Sequence, residues 1–181
     1  MADTLLAPLP TTLSDGLVSL RLITPDDWPL EVGLSAVPDV VRWTRYPPDL
    51  DEAGARARIE TRVQGAVAGT GGRYVVRTAS GSIVGNAGIA MNAQHLPEVF
   101  YALLPAGRGL GLATAATRLL TGWALGAGHR VVVLNTISGN TASEAVARRA
   151  GFLPTALESA TVRDTQVQVQ RWERSTGPGV H

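Results

Sequence analysis

Residues 99–120, VFYALLPAGRGLGLATAATRLL, pass from an apolar run into a glycine loop and then into a helical repeat. The apolar run VFYALL (99–104) has no polar alternation, which predicts a central strand covered on both faces and therefore a layered core. After the loop, Ala116, Leu119, Leu120 and Trp123 recur at helical spacing until Gly126 and Gly128 end the helix. VVVLNTI (131–137) predicts a second buried strand. A strand that runs through a glycine loop into a helix start offers free backbone N–H groups and the positive end of the helix dipole together. Glycines at 107, 109 and 111 let an oxyanion approach those groups without a Cβ in the way. Arg108 can add a charge-assisted hydrogen bond. The loop therefore reads as a phosphate site, best suited to a pyrophosphate. The plainer alternative is a loop whose glycines only make turns.

Two common phosphate binders are excluded. A P-loop needs Gly-Lys-Ser/Thr, and all 16 basic residues are arginine. The dinucleotide fingerprint needs Gly or Ala at its sixth position, but Leu112 follows from Gly107 and Thr114 from Gly109. No acidic residue stands about twenty positions later, where His129, Arg130 and Val131 lie. A net charge of +1 gives no global attraction to nucleic acid or to an anionic membrane. Cysteine is absent, which removes disulfides, thiolate metal sites and a thiol nucleophile. No apolar run approaches the ~18–20 residues of a spanning helix, and MADTLLAPLP lacks the features of a signal peptide. The expected compartment is the cytoplasm.

The chain of 181 residues fits one domain over residues 14–174, with loose ends expected at 1–13 and 175–181. LVSLRLI (17–23) predicts a strand, and Thr24 and Pro25 suit the N-cap and first position of a helix. PDVVRW predicts a second short helix, and the stretch from Asp49 to Gly69 a third. RYVVRTA, a SGS turn and IVGNAGIAM predict a hairpin, and ALESATVRDTQVQVQRW a closing one. The fold class is α/β (α+β), with a mixed sheet near seven strands.

RGLGLA (108–113) matches the Arg/Gln-x-x-Gly-x-Gly/Ala loop of the GNAT N-acetyltransferase superfamily, and NTASEAVARRAGF (140–152) its Asn-x-x-Ser block followed by Gly-Phe. SLRLITPDDW, PDVVRWTRYPP and EVFYALLP are similar to its RimJ/RimL-like branch, which includes ribosomal-protein N-terminal acetyltransferases. The resemblance covers about residues 14–173. It implies a sheet splayed between the strands at 99–104 and 131–137, with helices on both faces, and acetyl-CoA as cosubstrate. Leu103 and Leu104 would pair with the pantetheine arm. Arg108, Gly109, Gly111, Leu112, Ala113 and Thr114 would hold the pyrophosphate. Asn140 and Ser143 would flank the pantetheine and the sulfur, although Asn140 is equally suited to cap the helix that follows. Many superfamily members carry a tyrosine in the last helix as acid to the departing thiolate. AVARRA offers none, and Ala115 replaces the branch's usual glutamate.

Glu98 precedes the central strand, where burial would favour its neutral form and suit it to taking a proton from an ammonium; a solvated strand-end charge is the alternative. His95, in a turn-like segment, is the other candidate base. His129 reads as a helix C-terminal residue, and three isolated histidines suggest no metal site. Trp28, Trp43, Arg45 and Tyr46 fall in helices that in this family wall the acceptor pocket, with plain core packing the commoner reading of such aromatics, and ARARIETRVQ (55–64) reads as a solvated helix face. The expected activity is acetyl transfer from acetyl-CoA, by direct attack, to a primary amine of a small molecule or a protein N-terminus, with Glu98 and Ser143 as catalytic residues. A non-catalytic acyl-CoA-binding module is the rival, and a nucleotide-binding protein a weaker one. Neither nucleic acid, membrane nor metal is an expected partner, and a homodimer is left open.

Overall fold

The structure, a computed structural model, describes residue 6 and residues 8–177. Strands β1 (Thr12–Ser14) and β2 (Val18–Leu22) lead through a 3-10 turn at Pro25–Asp27 into helices α1 (Trp28–Ser35), α2 (Pro38–Trp43) and α3 (Glu52–Val67). The hairpin of β3 (Gly71–Thr78) and β4 (Ile83–Met91) is followed by β5 (Pro97–Leu103), α4 (Leu112–Gly126) and β6 (Val131–Ile137). Helix α5 (Thr141–Arg149) and the closing hairpin of β7 (Leu153–Val162) and β8 (Thr165–Ser175) complete the chain.

One eight-stranded sheet runs in the order β1-β2-β3-β4-β5-β6-β8-β7. The strand beyond the expected seven is β1, which begins inside the segment expected to be loose and pairs with β2. Leu6 is buried nearby and its N–H donates to Gly69 O at 2.9 Å. The remainder of that segment, residues 1–5 and 7, and residues 178–181 of the expected tail lie outside the described residues. At the other end β8 runs to Ser175, one residue past the expected boundary.

The sheet is covered on both faces because its strands alternate at a period of two. Tyr74 and Val76 of β3 join the core under α4 and α5, with Val99, Leu112, Ala116, Leu120, Phe152 and Trp172. Val75 points the other way, to Leu30, Leu34, Val40, Tyr46 and Ile59 of the first three helices and their connections. Helix α4 buries Leu112, Ala116, Leu120 and Ala124, a four-residue repeat that keeps one stripe on the sheet. Burial of Leu112 and Leu120 contributes about 1.5–3 kcal/mol each, which holds the helix against the sheet.

Candidate active site

The sheet opens at its centre. Strand β5 pairs with β4 over all seven of its residues, and β6 pairs with β8 over all seven of its own. Between them, the parallel pair β5–β6 holds only at Glu98↔Val133 and Val99↔Leu134. From Phe100 to Leu103 and from Asn135 to Ile137 the strands diverge, leaving a wedge between two otherwise complete half-sheets.

One mouth of the wedge is a cavity of about 530 Å³, lined by the glycine loop, the first turn of α4 and the first turn of α5. Gly109 and Gly111 sit at φ +75° and +76°, the left-handed region, and a Cβ on either would meet open space. Their backbone conformation requires glycine and leaves the approach to the helix start clear. Gly107 serves a different purpose: a Cβ there would come within 2.8 Å of Val84 Cβ, so this glycine lets the loop lie against β4. Gly111 caps α4 with no side-chain bond to its first N–H groups. Leu112, Ala113 and Thr114 of that turn all line the cavity.

Arg108 folds across the rim. Its Nε and Nη2 each donate to Leu103 O at 3.3 Å, and Nη1 donates to Asp39 Oδ2 at 3.2 Å. Leu103 thus presents its carbonyl toward the glycine loop, as expected of a strand edge facing the wedge. Leu104 departs from expectation. Its N–H is taken by Val84 O and its carbonyl accepts from Gly107 N, both at 2.9 Å, and it lines neither cavity. The chain leaves the sheet one residue earlier than the apolar run suggests, because Leu104 already anchors the loop.

Asn140 caps α5, its Oδ1 accepting from Ser143 N at 3.1 Å. Both residues also line the wedge from either mouth, so the capping role and a place at the cavity coexist. Beside Ser143 stands Tyr101, which sequence reasoning did not single out. Burial pushes its hydroxyl up to about 12, with the neighbouring Ser143 hydroxyl acting the other way. No bond of good geometry ties that hydroxyl to Ser143 or to any other described residue. A protonated, unpaired donor at the wedge could stabilise developing negative charge there. Its only sequence signal was its place in the central strand.

A second cavity of about 560 Å³ opens from the other mouth and shares Trp43, Thr44, Tyr101, Ala102, Asn140 and Ser143 with the first. Glu98, half-buried at the first of the two β5 positions paired with β6, lines it, as does the exposed Glu158 of β7, a carboxylate the sequence did not suggest. His95 is exposed in a left-handed turn at φ +58° and lines neither cavity. His129 and Trp28 line neither as well, Trp28 packing in the helical layer under Arg56. Trp43, Arg45 and Tyr46 do wall the second cavity.

The stretch 55–64 divides rather than facing solvent throughout. Arg56 is exposed and pairs with Glu52. Arg58 and Arg62, one turn apart, face the second cavity instead. Arg58 Nε donates to the buried carboxylate of Glu31 at 2.7 Å and stacks over Tyr46. The signal was present in the spacing: Ala55, Ile59, Arg58 and Arg62 share the helix face that Ile59 buries.

A mixed sheet split beside a glycine-cradled helix start, with a second cavity meeting the first at the split, is the arrangement the sequence resemblance implied, and the family match makes the chain an acetyl-CoA-dependent N-acetyltransferase. The chain belongs to the acetyltransferase (GNAT) domain family, whose match spans residues 18–153. Its fold is shared by the structure of RimJ from Mycobacterium smegmatis in complex with CoA-disulfide (TM-score 0.80, 18% identity, covering 93% of this chain and 88% of that one). The microcin C7 self immunity acetyltransferase MccE, in complex with acetyl-CoA and AMP, aligns with a TM-score of 0.82 at 14% identity over 93% and 98% of the two chains. A probable acetyltransferase from Chromobacterium violaceum aligns at 0.77 with 23% identity over 94% of each. No curated protein matches the chain in sequence.

Proposed function

We propose that the first cavity holds acetyl-CoA, that the second admits a primary amine, and that the acetyl group passes between them by direct attack. The observation carrying this reading is that two cavities of comparable size share one floor at the point where β5 and β6 part. Gly109, Gly111 and the first turn of α4 offer backbone donors for the pyrophosphate, with Arg108 at the rim. Leu103 offers the strand edge for the pantetheine arm, flanked by Asn140 and Ser143. When bound, acetyl-CoA supplies the thioester carbonyl.

The residues then divide the work. Glu98 takes the proton that the amine must lose, directly or through a water. Ser143 and Tyr101 donate hydrogen bonds on the side where the thiolate departs, and Tyr101 supplies from β5 what the last helix lacks. Holding both reactants at one wedge contributes through proximity, an effect able to lower the barrier by several kcal/mol. With no cysteine in the chain, no thiol acyl-enzyme can form.

Glu98→Gln is the test. A positioned base contributes about 10²–10⁴-fold, so turnover at pH 7 should fall by that order while acetyl-CoA affinity holds. The defect should shrink as rising pH supplies free amine. Near-normal turnover at pH 7 would remove Glu98 as the base and transfer attention to Glu158. An acetylated protein that passes its acetyl group to the amine would defeat direct transfer.

A further inference from the structure

The wall of the second cavity carries Arg45, Arg58, Arg62 and Arg73 against two carboxylates, Glu98 and Glu158. Arg58, Arg62 and Arg73 gather around a single buried carboxylate, Glu31, and a single phenol, Tyr46. Glu31 is 1% exposed and both its oxygens are occupied: one accepts from Arg58 Nε at 2.7 Å, the other from Asn86 Nδ2 at 2.9 Å. Tyr46 accepts from Asn86 Nδ2 at 2.8 Å, and burial pushes its pKa up, so it stays neutral and adds no counter-charge.

Arg73 is 8% exposed. Its Nη1 donates to Asn86 Oδ1 at 3.1 Å and its guanidinium lies 4.6 Å from the Phe100 ring. Its Nε, and that of Arg62, are buried without a partner among the described residues. Loss of hydration pushes the Arg73 guanidinium down to about 10 and lowers Arg62 as well. Stacking on an aromatic face offsets part of such a cost but accepts no N–H bond. A buried guanidinium without a carboxylate is stabilised when an anion arrives.

The register places this cluster relative to Glu98. Arg73 pairs with Gly88, and Gly88 with Phe100, so Arg73 and Phe100 stand at one level across the sheet. Glu98 precedes Phe100 by two residues and, by strand periodicity, faces the same way about 7 Å along β5. A molecule with its nitrogen at Glu98 therefore reaches the arginines within a few bonds.

We infer that the acceptor is a small amine carrying a carboxylate or phosphate a few bonds from its nitrogen, and that Arg62 and Arg73 bind this oxyanion. The inference rests on the acetyl-transfer reading of the same site. It disfavours polyamines and aminoglycosides, whose added positive charge would meet the cluster directly.

Two measurements test it together. Side-chain Nε–Hε signals of Arg62 and Arg73 are followed by NMR as inorganic phosphate replaces chloride at constant ionic strength, with and without saturating CoA. Acetylation is compared for matched pairs: β-alanine against its amide, and O-phosphoethanolamine against ethanolamine. The expected results are a saturable shift with phosphate and a kcat/KM preference of ~10- to 100-fold for the anionic member. The favoured pair distinguishes carboxylate from phosphate. Arg62→Gln and Arg73→Gln should erase the preference while leaving CoA affinity unchanged. Should Arg73→Gln fail to fold, the half-buried Arg62 keeps the test decisive. The inference is overturned by the absence of a saturable shift, by equal use of the two members, or by a preference that survives Arg62→Gln. Better turnover of peptides with an acidic second residue than of the free anionic amines would also overturn it. Absence of CoA binding, in contrast, counts against the acetyl-transfer reading, while the phosphate titration without CoA still reports on the arginines.

Discussion

Asp27 shows how much a single side chain can fix. Its carboxylate accepts from Arg21 Nη2 and Thr24 N, each at 2.7 Å, and from Thr24 Oγ1 at 3.0 Å, tying β2 to the start of the helical layer. Burial pushes its pKa up, but the bonds from Arg21 and Thr24 outweigh this and hold it below its ordinary value. A depressed carboxylate stabilises the fold above its unfolded pKa of about 3.9, and that stability drains as pH falls through the folded value. Asp27→Asn should cost about 1–3 kcal/mol at pH 7, with the gap to wild type closing below about pH 4. Urea unfolding across pH checks this, and a gap independent of pH would show that the charge is irrelevant. Arg108 belongs to the same scale. Arg108→Ala should weaken CoA and dephospho-CoA alike, by about 1.5–3 kcal/mol, as titration calorimetry would show. Loss confined to CoA would move Arg108 to the 3′-phosphate. Arg108 was legible in the sequence because charge beside a glycine loop has few other uses. Tyr101 was not, since an aromatic in an apolar strand looks like core until the neighbouring strand is seen to leave.

Elements were legible wherever their own chemistry bounds them. Pro38 opens α2, Gly111 caps α4, and Asn140 opens α5 as a cap whose bond the structure contains. Where pairing depends on distant partners, the sequence was silent. The three residues of β1 carry no alternation long enough to recognise, and the β5–β6 pairing stops after two residue pairs although nothing in either strand's own sequence marks the point. The closing hairpin adds a contact no local pattern suggests. Arg163, at φ +46° in its turn, donates to the carbonyls of Val41, Thr44 and Tyr46, latching β7 and β8 onto the end of α2 beside the second cavity. Charge-assisted bonds of this kind contribute about 1.5–3 kcal/mol. Arg163→Ala should therefore raise the acceptor KM several-fold and leave acetyl-CoA affinity unchanged. Steady-state kinetics with each substrate varied in turn decides this, and an effect on acetyl-CoA alone would show that the latch serves the other mouth.

At the scale of the molecule, the sheet is two half-sheets joined at two residue pairs, and the reaction proposed here belongs to that junction. The layered class and the glycine-loop end, where the phosphate is proposed to sit, were readable because they rest on local periodicity and glycine chemistry. The acceptor end was less so, because Arg58, Arg62, Arg73, Glu98 and Glu158 come from four separate elements that only the fold assembles. On this reading, one mouth delivers an acetyl group and the other an amine. Its most direct test is the rate of CoA release from acetyl-CoA with and without an amine panel, with product masses recorded. Release should be saturable and depend on the amine, with one acetyl group on its nitrogen. Release at the same rate whether or not an amine is present, with no acetylated product, would contradict it.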